Sequence, residues 1–140
     1  MDIPDFIDGL RERVQKRGRA RTEDVEKAED ALAEHPGSAD LWILRGDLIL
    51  LSDDGDHPLD AALESYRTAV AKEPDHLEAH LQLGHYLDAV ADDPAAAAPW
   101  FRRAIELGGG AAAERAIASV LEQLREREAE TGGAPGEPPA

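Results

Sequence analysis

An all-α fold of about seven antiparallel helices follows from three features of the sequence. Apolar residues recur at three- and four-residue spacing through most of the chain, the signature of helices that bury one face. Prolines and glycines gather at a few points and cut the chain into pieces of helical length. No alternating apolar–polar run lasts long enough for a half-buried strand. The 140 residues, 42% hydrophobic and 32% charged, are of a length and composition that build one globular domain. The absence of cysteine removes disulfides, thiolate metal sites and Cys nucleophiles from consideration.

Each element has its own punctuation. Pro4 suits the first turn of a helix carrying Phe6, Ile7, Leu10 and Val14, and Gly18 ends it. Thr22 is the expected cap of the next helix, with Val25, Ala28, Ala31 and Leu32 as its apolar stripe and Pro36-Gly37 as its stop. Ser38 caps a third helix bearing Leu41, Trp42, Leu44, Leu48 and Ile49. A polar loop, Ser52–His57, leads to Pro58 as the first residue of a fourth helix with Ala62, Leu63, Tyr66, Ala69 and Val70, which Pro74 terminates. A fifth is expected from about His76 to Val90, carrying Leu77, His80, Leu81, Leu83, Gly84 and Leu87. Asp93-Pro94 opens a sixth with Ala97, Trp100, Phe101, Ala104 and Ile105, and Gly108–Gly110 closes it. A seventh runs from Ala111 to about Ala129. The Gly/Pro-rich tail 131–140 is expected to be disordered. Short connections make successive helices antiparallel neighbours.

The chain also repeats itself. Ala31, Pro36 and Gly46 recur 38 residues later as Ala69, Pro74 and Gly84; Tyr66, Ala69 and Val70 recur 35 residues later as Phe101, Ala104 and Ile105. Reconciling both offsets with a 34-residue frame needs four extra residues within Ser52–His57 and one in the second copy. In that frame Trp42, Gly46, Ile49, Ala62, Tyr66, Ala69 and Pro74 are matched by His80, Gly84, Leu87, Ala97, Phe101, Ala104 and Gly109. This pattern of large, small and aromatic positions resembles the tetratricopeptide (TPR) repeat family. Arg45 departs from it where an apolar residue is expected, as does His80 in the second copy, and Gly109 stands where the proline belongs. The resemblance implies an α-α superhelix, a TPR-like solenoid, over residues 1–130: a degenerate helix pair at 1–37, repeats at 38–76 and 77–110, and a capping helix at 111–129.

The resemblance further implies a concave groove that takes a partner peptide or helix. The frame's groove-facing positions are Asp40, Ile43, Asp47 and Leu50 in the first repeat, with Leu44 and Leu51 beside them, and Glu78, Leu81, His85 and Asp88 in the second, with Gln82 and Ala89. Apolar residues edged by acids would suit a protein or peptide ligand with an apolar face and basic residues, although Ile43 and Leu50 would serve equally as packing residues. Lys, Asn and Arg at these positions hold a partner's terminal carboxylate in some family members; this chain lacks that set.

Other chemistry finds little footing. The net charge of −15 opposes nucleic acid. The basic run Arg11–Arg21 either meets an acidic partner or faces the chain's own acids, or those of a second copy. His76-Leu77-Glu78-Ala79-His80 places two histidines four apart, but a zincin-type metal site needs Glu directly after the first His. Asp53, Asp54 and Asp56 lack the register of a calcium loop. No phosphate-binding loop or nucleophile motif is present, so a non-enzymatic role without cofactor or metal is expected. The expected interaction module has two rivals: a self-associating structural or assembly protein, and an accessory subunit of a larger bacterial complex, the abundant Ala and Arg suggesting a GC-rich genome. Without a basic-then-apolar leader or a membrane-length apolar run, a cytoplasmic location is expected.

Overall fold

Helix ends fall where side chains satisfy backbone groups that have no partner inside the helix. The computed structural model describes residues 1–131. It contains α1 (Ile3–Arg17), α2 (Thr22–Glu34), α3 (Ala39–Leu51), α4 (Leu59–Lys72), α5 (Leu77–His85), a π-helical turn (Tyr86–Val90), α6 (Pro94–Glu106) and α7 (Gly110–Glu130). No strand occurs among the described residues. An isolated parallel bridge joins Ala20 to Ser52, where the Ala20 N–H donates to the Leu51 carbonyl at 3.0 Å. No helix among them is long and apolar enough to cross a membrane. The expected disordered tail lies, apart from Thr131, outside the described residues.

Several caps sit at the expected residues. Ser38 Oγ accepts from Leu41 N–H at the start of α3, and Asp93 Oδ1 from Ala96 N–H at the start of α6. Gly18 closes α1 with φ 89°; Pro58, expected as the first residue of α4, stands one position outside it as the cap. Thr22 differs from expectation, being the first helical residue of α2. Asp24, three residues after Arg21, accepts from the Arg21 N–H at 2.9 Å and so ties down that end. The Thr22 hydroxyl turns instead to the carboxylates of Asp54 and Asp56.

The chain divides into two compact units, Met1–Ala79 and the segment from His80 onward. In the first unit α3 packs on α4 and α2, and α1 packs on α3. Leu10, Val25, Leu41, Leu44, Leu48 and Tyr66 are almost wholly buried. Arg45, the misfit of the repeat pattern, makes sense here. Its guanidinium bonds Glu29 on α2 at 3.1 Å and Ser65 Oγ on α4 at 2.6 Å, so one side chain joins three helices and satisfies the buried hydroxyl.

The extra residues of the Ser52–His57 loop also have a task. Asp53 accepts from the Arg19 guanidinium at 3.0 Å and Asp54 from the Thr22 N–H at 2.6 Å, pinning the α1–α2 connection. That N–H and the Thr22 hydroxyl hold the Asp54 carboxyl below its ordinary pKa.

In the second unit α6 packs on α7 and on the π-helical turn. A regular α-helix was expected to about Val90. Instead the helix widens after His85, with the Ala91 N–H donating to the Tyr86 carbonyl at 3.0 Å, five residues back. Asp92 follows with φ 53°, a conformation Asp tolerates better than most residues. The widened turn falls between Gly84 and Ala97, the stretch in which the repeat frame needs its one extra residue.

Both units contain the same hairpin contact. A Cβ added to Gly46 on α3 would lie 2.7 Å from the Tyr66 ring of α4, and one added to Gly84 on α5 would lie 2.6 Å from the Phe101 ring of α6. Tyr66 and Phe101 are 1% and 0% exposed, so neither ring has room to retreat. Ala69 and Ala104, one turn on, are also fully buried. Gly46→Ala and Gly84→Ala are each expected to destabilise by about 1–2 kcal/mol in urea unfolding, overpacking outweighing the gain in helix propensity. Gly37→Ala, where an added Cβ meets nothing within 4 Å, is the neutral control. Pro99 is exposed inside α6 and deprives that helix of one hydrogen bond. Pro99→Ala is expected to raise the melting temperature, by as much as about 3 kcal/mol in stability.

Candidate functional site

The surface shared by α1 and α3 in the first unit concentrates the features expected of a docking face. Both helices contribute low-numbered residues to one recess and high-numbered residues to another, so they run in the same direction here. The first recess, about 210 Å³, is lined by Pro4, Ile7 and Ile43 with the carboxylates of Asp8, Asp40 and Glu78; Arg11 lies at its end. The second, about 380 Å³, is lined by Val14, Leu48 and Leu51, and its charged residues are Arg11 and Arg19. Gln15 and Gly18 complete it. Leu51 is 52% exposed, a large apolar side chain left facing water.

Between the recesses stands an ion pair. Arg11 Nη1 lies 2.9 Å from Asp47 Oδ2, and the Tyr66 hydroxyl donates to Asp47 Oδ1 at 2.6 Å. Burial pushes the Asp47 carboxyl above its ordinary pKa; the Tyr66 hydrogen bond and Arg11 oppose the shift without cancelling it, and Glu78 adds to it. Asp24 shows the opposite balance. Burial pushes it up, but the Arg21 N–H and the Arg17 guanidinium, 2.6 Å away, together hold it below the usual range.

The residues expected in the groove have different situations. Asp40 is exposed and accepts from His76 Nε2 at 2.7 Å. Ile43 is only 2% exposed, although it lines the first recess. Asp47 is engaged by Arg11 and Tyr66. Leu50 is half-buried and lines neither recess; Leu48 and Leu51 do so instead. Glu78 is exposed at the first recess. The remaining three belong to the second unit. Leu81 is 8% exposed, His85 is exposed with its ring edge-on to Phe101 at 5.0 Å, and Asp88 accepts from Gln123 Nε2 at 3.0 Å. His85 and Asp88 line a recess of about 370 Å³ with Arg115 and Ser119 of α7.

Ile7 and Asp8 stand outside the groove positions of the repeat frame, because α1 carries no clear repeat pattern and Ile7 reads as a core residue. The available signal was the spacing of Pro4, Ile7, Asp8 and Arg11, which share one face beside the buried Leu10–Val14 stripe. The basic run is largely spent within its own unit: Arg11 on Asp47, Arg17 on Asp24, Arg19 on Asp53 and Lys16 on Glu12. His76 uses both ring nitrogens, Nε2–H on Asp40 and Nδ1 as acceptor from the Ala79 N–H, while His80 is buried against Trp100. Among the described residues no group of three or more His, Asp or Glu is placed to hold a metal ion.

The pKa shifts give the acid limb of stability two components of opposite sign. Asp24 contributes stability above the unfolded carboxyl pKa of about 3.9, lost as pH falls through its lower folded value. Asp47 is unfavourable when ionised, so its contribution declines as pH rises from about 4 through its raised folded value. Asp47→Asn keeps an acceptor for Tyr66 but cannot ionise. Denaturant titrations across pH 4–8 are expected to show the wild type losing stability relative to this variant as pH rises through that window. No family model matches this chain, and no curated protein matches it in sequence.

Proposed function

We propose that the chain is a non-enzymatic, TPR-like interaction module that docks a partner peptide or helix carrying apolar and basic residues. The observation that carries this reading is the duplicated hairpin contact. Gly46 under Tyr66 and Gly84 under Phe101 occupy the same pair of frame positions, each with a buried alanine one turn beyond the ring. Repeats of this kind hold helices in register while leaving one helix face of each repeat for a ligand. The α1–α3 face supplies apolar recesses and, at one end, three carboxylates around Ile7 and Ile43. A partner's apolar side chains would bury there with basic neighbours satisfied by the rim.

The rival reading, head-to-tail self-association through the basic run, has less support, since Arg11, Arg17 and Arg19 already face carboxylates of their own unit. Asp40→Lys combined with Glu78→Lys reverses the charge of the rim at two exposed positions. In an affinity capture from the native host, the wild type is expected to retain a partner that the double variant loses, with helical circular dichroism unchanged. Equal retention would remove this face from the function; no partner retained by the wild type would remove the docking role.

A further inference from the structure

α3 and α5, the first helices of the two repeats, are capped by the same bond made with different chemistry. At α3 the Ser38 Oγ accepts from the Leu41 N–H at 3.3 Å. At α5, with both partners 38 residues further on, the His76 Nδ1 accepts from the Ala79 N–H at 3.2 Å. Each amide lies in a first helical turn and has no carbonyl partner inside its own helix. Serine is a favoured residue for this position and histidine is not. A serine oxygen accepts whatever the pH, whereas an imidazole nitrogen accepts only while it carries no proton. The other ring nitrogen of His76, Nε2, lies 2.7 Å from Asp40 Oδ1. An ionised carboxylate can only accept, so this contact places the ring proton on Nε2 and leaves Nδ1 bare.

We propose that His76 is a proton-operated helix cap: a proton taken up at Nδ1 releases the first turn of α5, while α3, capped by Ser38, stays closed. The two bonds of the ring respond differently to that proton. Nε2–H donates to Asp40 in either state, and more strongly from an imidazolium. A protonated Nδ1 is a second donor facing the Ala79 N–H, so that bond is lost. The positive ring also stands against the positive end of the α5 dipole. The side chain therefore stays with α3 and lets the start of α5 go. The charged groups around it are Asp40 of α3, Glu73 just after α4, Asp75 in the turn and Glu78 of α5; Asp8 and Arg11 of α1 share the first recess with Asp40 and Glu78. Glu73 is engaged by the Ala39 N–H at 2.7 Å and Arg11 by Asp47 at 2.9 Å. Among these residue types only histidine ordinarily changes charge between pH 5 and 8. The His76 side chain is 19% exposed, so the proton has access to it. All of these groups belong to the first unit. Glu78 rides on the released turn and Asp40 on the helix that keeps the ring, so one proton alters two of the three carboxylates of the first recess. The device needs no ligand and stands apart from the docking role.

The test is an NMR titration of the full chain, labelled with nitrogen-15, from pH 8 to pH 5, reading the His76 ring nitrogens and the Ala79 amide together. At pH 8 the ring is expected as the Nε2–H tautomer. As the ring gains its second proton, the Ala79 amide is expected to shift with the same midpoint. Its exchange protection, taken relative to the unstructured rate at each pH, is expected to fall about fivefold. The Leu41 amide is expected to keep its protection throughout. His76→Ser installs the cap of the first repeat and is expected to hold the Ala79 protection constant across the range. His35, His57, His80 and His85 are present in both proteins, so the comparison isolates His76. Asp40→Asn keeps an acceptor for Nε2–H without its charge and is expected to leave the Ala79 response in place. A response lost in Asp40→Asn assigns the effect to the ion pair and overturns the cap. An Nδ1–H tautomer at pH 8, a ring still neutral at pH 5, an Ala79 amide indifferent to the ring, or an unchanged response in His76→Ser overturns it equally.

Discussion

A buried aromatic ring pressed on a bare stretch of helix backbone governs this architecture. The Tyr66 and Phe101 rings come so close to α3 and α5 that the opposing residue has no side chain at all. Such an approach draws two helices together and fixes which face each presents, because rotating either by one residue would put a Cβ where the ring sits. The face of α3 away from Tyr66 is settled by the same contact. The residues at one edge of each ring then adapt to its chemistry. Beside Tyr66, with its hydroxyl, stands Asp47 to accept the hydrogen bond; beside Phe101, which has none, stands the ring of His85.

Charge performs the finer positioning in the first unit. The chain has twice as many acids as bases, 30 against 15, so a carboxylate must share its bases sparingly. Arg11, Arg17, Arg19 and Arg45 each connect elements that are distant in sequence or tie a helix end to its neighbour. The exposed pair from Arg19 is worth little alone, but together with the bonds from Thr22 to Asp54 it holds the loop against the α1–α2 connection. Asp8, Asp40 and Glu78 gather at one end of the face, Asp40 holding His76 as well.

Helix positions and much of their punctuation were legible because they depend on local chemistry. Ser38 and Asp93 need only a backbone N–H three residues away. The glycine–aromatic pairs were legible as a repeat because both halves of the contact recur at fixed offsets. What escaped depended on partners far along the chain. Thr22 reads as a cap until Asp54 and Asp56 are brought beside it, and Arg45 reads as a defect until Glu29 and Ser65 surround it. The face suffered likewise. Asp40, Ile43 and Glu78 line the first recess and Leu51 the second, where Leu48 and not Leu50 joins it, and half the lining comes from α1, where no repeat pattern marks it.

The widened turn at Tyr86–Val90 bears on how such a chain can change length. One residue added to a regular helix swings everything beyond it by about 100°. Placed between His80 and Gly84, that swing would carry the glycine off the Phe101 ring and seat a bulkier neighbour against it. A five-residue turn absorbs the extra residue after the contact is made and before α6 begins. In this chain the widened turn lies between the Gly84 contact and α6, and the longer loop Ser52–His57 lies between α3 and α4, so neither disturbs the glycine–ring contacts.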